Sequence, residues 1–169
     1  MFKLLNKKKN NKGFTLVELV IVIAILAILV GLLAPQYVKY IEKSRQSADA
    51  TNVENVVSAI KVAAADEDFG GLAAGKYVVT LTKSGMEITG SETALTVNSG
   101  TVGALTQALV EYMGTDGAEY KAGKATYSNV VRKSSKWTTK DNSGNPSATA
   151  TVSDTGAVSV SYDPASLAK

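Results

Sequence analysis

The chain has 169 residues, room for about one domain, of which 45% are hydrophobic and 20% charged. It carries 18 Lys and Arg against 15 Asp and Glu, a net charge of +3, and it contains no cysteine and no histidine. Disulfides, thiol nucleophiles, Cys/His zinc sites and a Ser-His-Asp triad are therefore excluded.

The charge is unevenly spread. Residues 1–13 hold five lysines (Lys3, Lys7, Lys8, Lys9 and Lys12) and no acid. From Phe14 to Ala34 the chain is one apolar run interrupted by a single ionisable residue, Glu18, and the next charge is Lys39. About 20 apolar residues cross a bilayer as a helix. Lysines ahead of such a run hold the N-terminus on the cytoplasmic side. A cleaved secretory signal has an apolar core of only about 7–15 residues and a small-residue cleavage site. This run is longer, and Pro35 and an amphipathic segment follow it. A plain membrane anchor accounts for the lysines and the length. It leaves Glu18 unexplained, because an acid within a membrane helix is costly.

Lys12-Gly13-Phe14-Thr15-Leu16-Val17-Glu18 resembles the processing site of type IV prepilins and the related pseudopilins. The resemblance covers about residues 7–45 and is only architectural beyond them. It implies that a membrane prepilin peptidase cuts between Gly13 and Phe14 and then N-methylates Phe14. It carries over the acid at Glu18 and the proline near the outer end of the apolar run, Pro35. Physical reasoning supports the pairing such a cut allows. The cut removes the five lysines and creates an amine at Phe14. In copies packed side by side and displaced along an axis, Glu18 of one can meet the Phe14 amine of another. A buried carboxylate is tolerated with a buried cation and costly alone, so the pair sets register. Pro35 removes a helical hydrogen bond, and Gly31 lies one turn before it. Two readings stay open for residues 31–36: a simple kink, or a segment that bends or loses helicity on assembly.

After Pro35 the pattern turns amphipathic. Val38, Ile41, Arg45, Ala48, Val53, Val56, Ile60, Ala63 and Ala64 recur at spacings of mainly three and four, which predicts one apolar stripe. Glu42, Lys43, Asp49, Glu54 and Lys61 are expected on the other faces. The helix is expected to fail at Asp66-Glu67-Asp68-Phe69-Gly70-Gly71, where acids oppose the dipole and glycines stop the helix. A helix over residues 14–68 is about 80 Å long, too long to hide in a compact domain of this size.

Residues 69–169 are rich in Thr, Ser, Gly, Val and Ala. The pattern predicts a hairpin of residues 76–83 and 86–89 about Ser84-Gly85, a strand at 94–97 and a helix at 102–113. Further strands are expected at 126–131 and 137–139, then a hairpin of 148–152 and 158–162. The expected fold class is α+β. A long N-terminal helix, half of it for membrane and filament core, packs on a C-terminal antiparallel β-sheet. The expected segments are a cleaved leader 1–13, a polymerisation helix 14–38, an amphipathic helix 39–68 and a head 69–169.

Two surface features stand apart from the motif. Lys121, Lys124, Arg132, Lys133, Lys136 and Lys140 share a stretch without acids, alongside Tyr120, Tyr127 and Trp137. A basic, aromatic stretch can bind DNA. The favoured reading is a solvated face or a contact with an acidic helix surface. Residues 134–147 are polar and read as an exposed loop. Asp141, Asn142, Asn145, Asp154 and Asp163 offer oxygen ligands but lack EF-hand spacing, and no metal site is assigned.

The resemblance implies a structural subunit, not an enzyme, that needs no cofactor. Its partners would be copies of itself in a helical homopolymer, the prepilin peptidase, the assembly machinery and, before assembly, the cytoplasmic membrane. It would be the major pilin of a surface pilus serving adhesion, twitching motility or biofilm formation. The alternatives are a pseudopilin of a secretion or DNA-uptake system, or a membrane-anchored binding domain that never polymerises. Many Gram-negative pilins close the C-terminal region with a disulfide. Its absence here resembles the cysteine-poor pilins of Gram-positive bacteria. Removing five of the 18 basic residues leaves 13 against 15 acids, a net −2, so the basic balance is a topology signal of the leader.

Overall fold

The computed structural model describes residues 13–65, 71–91, 93–95, 97–98 and 101–168. Most of the expected leader, residues 1–12, and the expected helix stop at residues 66–70 lie outside the described residues. The chain divides into two units, with the boundary after Ile41. One helix, α1, runs Leu16–Ala65 through both.

In the first unit every residue from Gly13 to Tyr40 is exposed. α1 passes through Pro35 without a break. A Cβ on Gly31 would touch nothing within 4 Å, so this glycine serves no packing within its own chain. Among the described residues, α1 is the one helix long and apolar enough to cross a membrane.

The second unit is an α+β domain. Its strands are β1 (Gly75–Leu81), β2 (Met86–Thr89), β3 (Val97–Asn98), β4 (Thr101–Val102), β5 (Ala118–Lys121), β6 (Lys124–Tyr127), β7 (Ser147–Val152) and β8 (Val158–Asp163). Helix α2 (Ala104–Met113) lies between β4 and β5, and a 3₁₀ turn (Ala165–Leu167) follows β8. Six strands form one antiparallel sheet in the order β5-β6-β2-β1-β7-β8, and β3 and β4 form a small separate pair. Period-two alternation puts Tyr77, Val79 and Leu81 of β1 inside with Met86 and Ile88 of β2 and Ala148, Ala150 and Val152 of β7. Register aligns Val79 with Ile88 on one side and with Ala148 on the other. These side chains share one core with Ala50, Val53, Val56, Val57, Ile60 and Ala63 of α1 and with Leu105 and Leu109 of α2. The sheet thus covers the apolar stripe of residues 42–65, as two-layer packing requires.

Asp49 corrects the expected helix face. It is fully buried rather than on the polar side. Spacings of four and three place residues 49, 53, 56, 60 and 63 on one stripe, so the helical period itself carries Asp49 inward. Its carboxylate accepts from the Lys133 amide at 2.8 Å, the Ser134 amide at 2.9 Å and Trp137 Nε1 at 2.9 Å. Gln46 Nε2 donates to the Lys136 carbonyl at 3.4 Å, and Ser134 Oγ donates to the Glu42 carboxylate. Arg45, expected on the stripe, keeps its side chain in solvent near Glu42.

These bonds bear on why the strand expected at 126–131 is met only at 126–127, within β6, and why none forms at 137–139. β6 ends at Tyr127, and residues 130–139 follow an irregular path. Asp49 of α1 takes the Lys133 and Ser134 amides, the Arg132 amide donates to the Thr82 carbonyl at 2.8 Å, and the Lys140 amide donates to Asp163 at 3.0 Å. The segment expected as an exposed loop is therefore partly interior, with Ser134, Trp137, Thr139 and Pro146 buried.

Around α2 the chain is tighter than expected. Residues 93–95 turn, β3 spans only two residues, and α2 begins at Ala104 because Val102 belongs to β4. A Cβ on Gly103 would lie 2.3 Å from the Ala94 carbonyl, so this close approach needs glycine. β5 was not foreseen. It pairs with β6 through the two-residue loop Ala122-Gly123, where Gly123 takes a φ of 73°. Tyr120 and Tyr127 meet there, hydroxyl to hydroxyl at 2.6 Å, with rings edge to face.

Asp49→Asn keeps the shape of the side chain but removes acceptor capacity for three buried donors. At about 1–3 kcal/mol for each donor left unpaired, stability should fall by about 2–4 kcal/mol. Trp137 is the sole tryptophan, so urea titration of its fluorescence in detergent measures the loss. An unchanged midpoint contradicts the anchoring role. Tyr162 donates to Glu54 Oε2 at 2.7 Å, and burial together with that carboxylate pushes its hydroxyl up to about 12 from 10.0. Between those values the unfolded tyrosine ionises while the folded one keeps its proton, so its contribution is lost as pH rises through that window. Ultraviolet titration should show late-ionising tyrosines, Tyr77, Tyr120 and Tyr127 among them, and Tyr162→Phe should remove one tyrosine's worth of absorbance near pH 12. An identical titration of that variant contradicts the assignment.

Candidate processing and assembly site

Helix α1 begins at Leu16, and Gly13, Phe14 and Thr15 precede it without helical structure. The Gly13–Phe14 peptide bond is thus exposed and free of helical hydrogen bonds, as a peptidase requires of its substrate. Phe14 is 81% exposed, and a Cβ on Gly13 would touch nothing within 4 Å.

Thr15 and Glu18 close a reciprocal pair at the helix start. The Glu18 amide donates to Thr15 Oγ1 at 3.2 Å. Glu18 Oε2 accepts from the Thr15 amide at 2.8 Å and from Thr15 Oγ1 at 2.9 Å. This is a capping box, in which residues three apart satisfy amide groups that the first helical turn leaves open. The helix N-terminus also carries partial positive charge, which suits an acid there. Glu18 therefore has a partner within its own chain, in the precursor and after a cut at Gly13 alike. Thr15 was missed as a site residue. The Thr-x-x-Glu spacing ahead of an apolar run was the signal that could have found it.

The six basic residues do not act as one free patch. Lys121 pairs with Glu119 at 2.8 Å and Lys124 with Glu87 at 3.1 Å, both around the β5–β6 hairpin. Arg132 donates through Nη1 to the Gly144 carbonyl. Lys133, Lys136 and Lys140 lie on the anchored segment with exposed side chains. Tyr127 is fully buried and Trp137 nearly so, which withdraws two of the three aromatic faces from base stacking. No group of three or more metal-ligating side chains occurs among the described residues. Asp141 Oδ1 is taken up by Thr139 Oγ1, the Ser143 amide and Ser143 Oγ, which hold its carboxyl down to about 2.

A family profile described as the prokaryotic N-terminal methylation motif matches residues 8–34. No curated protein and no solved structure matches the chain. The motif is consistent with a type IV pilin-like protein and supports membership of the type IV pilin or pseudopilin family. It implies a substrate of prepilin peptidase that assembles into a pilus-like filament. The apolar helix and the motif together fit a membrane-anchored precursor of that filament.

Thr15→Val removes the hydroxyl of the capping box while keeping the side-chain shape. Loss of such a cap costs about 1 kcal/mol, or about fivefold in local opening. Amide hydrogen exchange over the first helical turn, in detergent, should accelerate by that factor. Unchanged exchange contradicts the cap.

Proposed function

We propose that this chain is the precursor of a structural filament subunit, a major type IV pilin without enzymatic activity. The peptidase cuts between Gly13 and Phe14 and methylates the Phe14 amine. Before the cut, the lysine-rich leader holds the precursor in the cytoplasmic membrane with residues 14–38 in lipid. After it, those residues leave the bilayer and form the filament core, and residues 69–169 form the outer surface of a pilus on the cell.

The observation that carries this reading is the composition and exposure of one segment. Residues 14–38 are uncovered and apolar but for a few polar side chains, are helical from Leu16 on, and begin with an accessible Gly13–Phe14 bond and an acid. A lipid anchor alone would explain the apolar side chains. A self-assembling core also gives Glu18 a use, because the new amine of a neighbouring copy is the charge it lacks. The capping box with Thr15 shelters the carboxylate until that partner arrives.

Glu18→Ala tests the pairing. The variant keeps the Gly13–Phe14 bond and should be processed normally. Its Phe14 amine would be buried in the filament without a counter-charge, a loss of about 3–5 kcal/mol. The mass of protein in sheared filaments should fall more than tenfold. Wild-type yield contradicts the pairing role. Electron microscopy of the sheared wild-type material shows long pili on this reading, and short stubs confined to the envelope would assign a pseudopilin instead.

A further inference from the structure

The head carries two exposed features that match each other and lie at opposite edges of the sheet. The first is the last turn of α2. Val110 and Tyr112 are 38% and 45% exposed there, two of four large apolar side chains exposed among the described residues of the second unit. Between them lies Glu111, the only charged residue of the helix. The second is a hollow lined by Lys43, Ser47, Ala50, Trp137, Ser166 and Leu167. Its floor is apolar and its one charged lining residue is a lysine. Lys136, exposed and next to Trp137, adds a second cation nearby.

Topology fixes where each feature sits. α2 runs into β5 within five residues, and its Gly114 carbonyl accepts from Tyr127 of β6 at 3.4 Å. The hollow is built partly from the 3₁₀ turn that follows β8 directly. β5 and β8 are the two edges of the six-stranded sheet. Five strand spacings of about 4.8 Å separate them by about 24 Å. A patch and its complement so placed cannot satisfy each other within one molecule. Copies joined through them add head to tail, each contact leaving a free patch and a free hollow at the two ends, which gives a ring where the rotation closes and an open chain where it does not.

We propose that the hollow at the β8 edge receives the α2 knob of a second copy of this chain. Tyr112 fills the apolar floor over Ala50, Trp137 and Leu167, and Glu111 faces Lys43. The charge match argues for this occupant: the knob brings the acid Glu111 beside the exposed ring of Tyr112, and the hollow offers lysine and an apolar floor. The contact is lateral, between heads, and separate from the helix pairing at Glu18 and Phe14. It rests on the assembly reading above, since only an assembled chain brings copies side by side.

The chain's lack of cysteine makes a clean test. Tyr112→Cys and Ser166→Cys are placed together in the full chain, filaments are sheared and mildly oxidised, and the products are separated without reductant. The double variant should give a ladder of dimers, trimers and higher species, and each single variant should stay monomeric. Intact filaments of the double variant that remain monomeric overturn the contact and leave the assembly reading standing. Dimers from Tyr112→Cys alone overturn it as well, because they mean a knob meeting a knob. If the cysteines block assembly, charge reversal decides. Glu111→Lys and Lys43→Glu should each lower filament yield about fivefold, and the two together should restore it. Failure of the pair to restore yield overturns the proposal. Absence of filaments from the unmodified chain overturns the assembly reading itself and the contact with it.

Discussion

Seventeen large apolar side chains between Phe14 and Val38 stand exposed on the isolated chain. Burying one fully stabilises by about 1.5–3 kcal/mol, so leaving this set in water costs on the order of 20 kcal/mol even if half their surface counts. That exceeds the whole stability of an ordinary domain. The segment must find lipid or copies of itself, and both environments penalise an unpaired acid. Glu18 is the one acid in the segment, and the capping box with Thr15 is how the single chain meets that penalty.

The second unit depends on a smaller version of the same constraint. Asp49 is an acid in an apolar stripe, and three donors from residues 133–137 converge on it. The polar positions Glu42, Gln46 and Asp49 follow helical spacing and hold one segment of chain against the helix. That segment carries Lys133, Lys136 and Trp137, so a buried hydrogen-bond cluster shapes the surface where the head offers charge and the rim of its hollow. A carboxylate buried in this way specifies a path for the chain more than it adds stability.

The sequence made some of this legible and not the rest, for physical reasons. The apolar run, the methylation motif at residues 8–34 and the hairpin of β7 and β8 follow from local patterns: a run length, a motif, and alternation about a turn. Asp49 was assigned by residue type, and residue type lost to helical period. A charged residue is expected outside unless partners are known, and its partners lie 84 to 88 positions away in the chain. The strand expected at 126–131 ends at Tyr127 and none forms at 137–139, because contacts distant in sequence, Thr82 to the Arg132 amide and Asp49 to the Lys133 and Ser134 amides, steer the chain between them off an extended path. β5 is only four residues long and carries both Glu119 and Lys121, so its alternation is weak, and the two-residue loop with Gly123 is the stronger mark of the hairpin. Thr15 was legible as a cap and was passed over because the motif around it had another explanation.

On the proposed function, residues 1–13 are removed and the new N-terminus is modified before the apolar helix enters a filament. Intact mass spectrometry of subunits from sheared filaments tests it directly. The expected species is a chain beginning at Phe14 and heavier by one methyl group than residues 14–169 alone. A mature chain that retains residues 1–13, or one cut elsewhere with Phe14 unmodified, would contradict it.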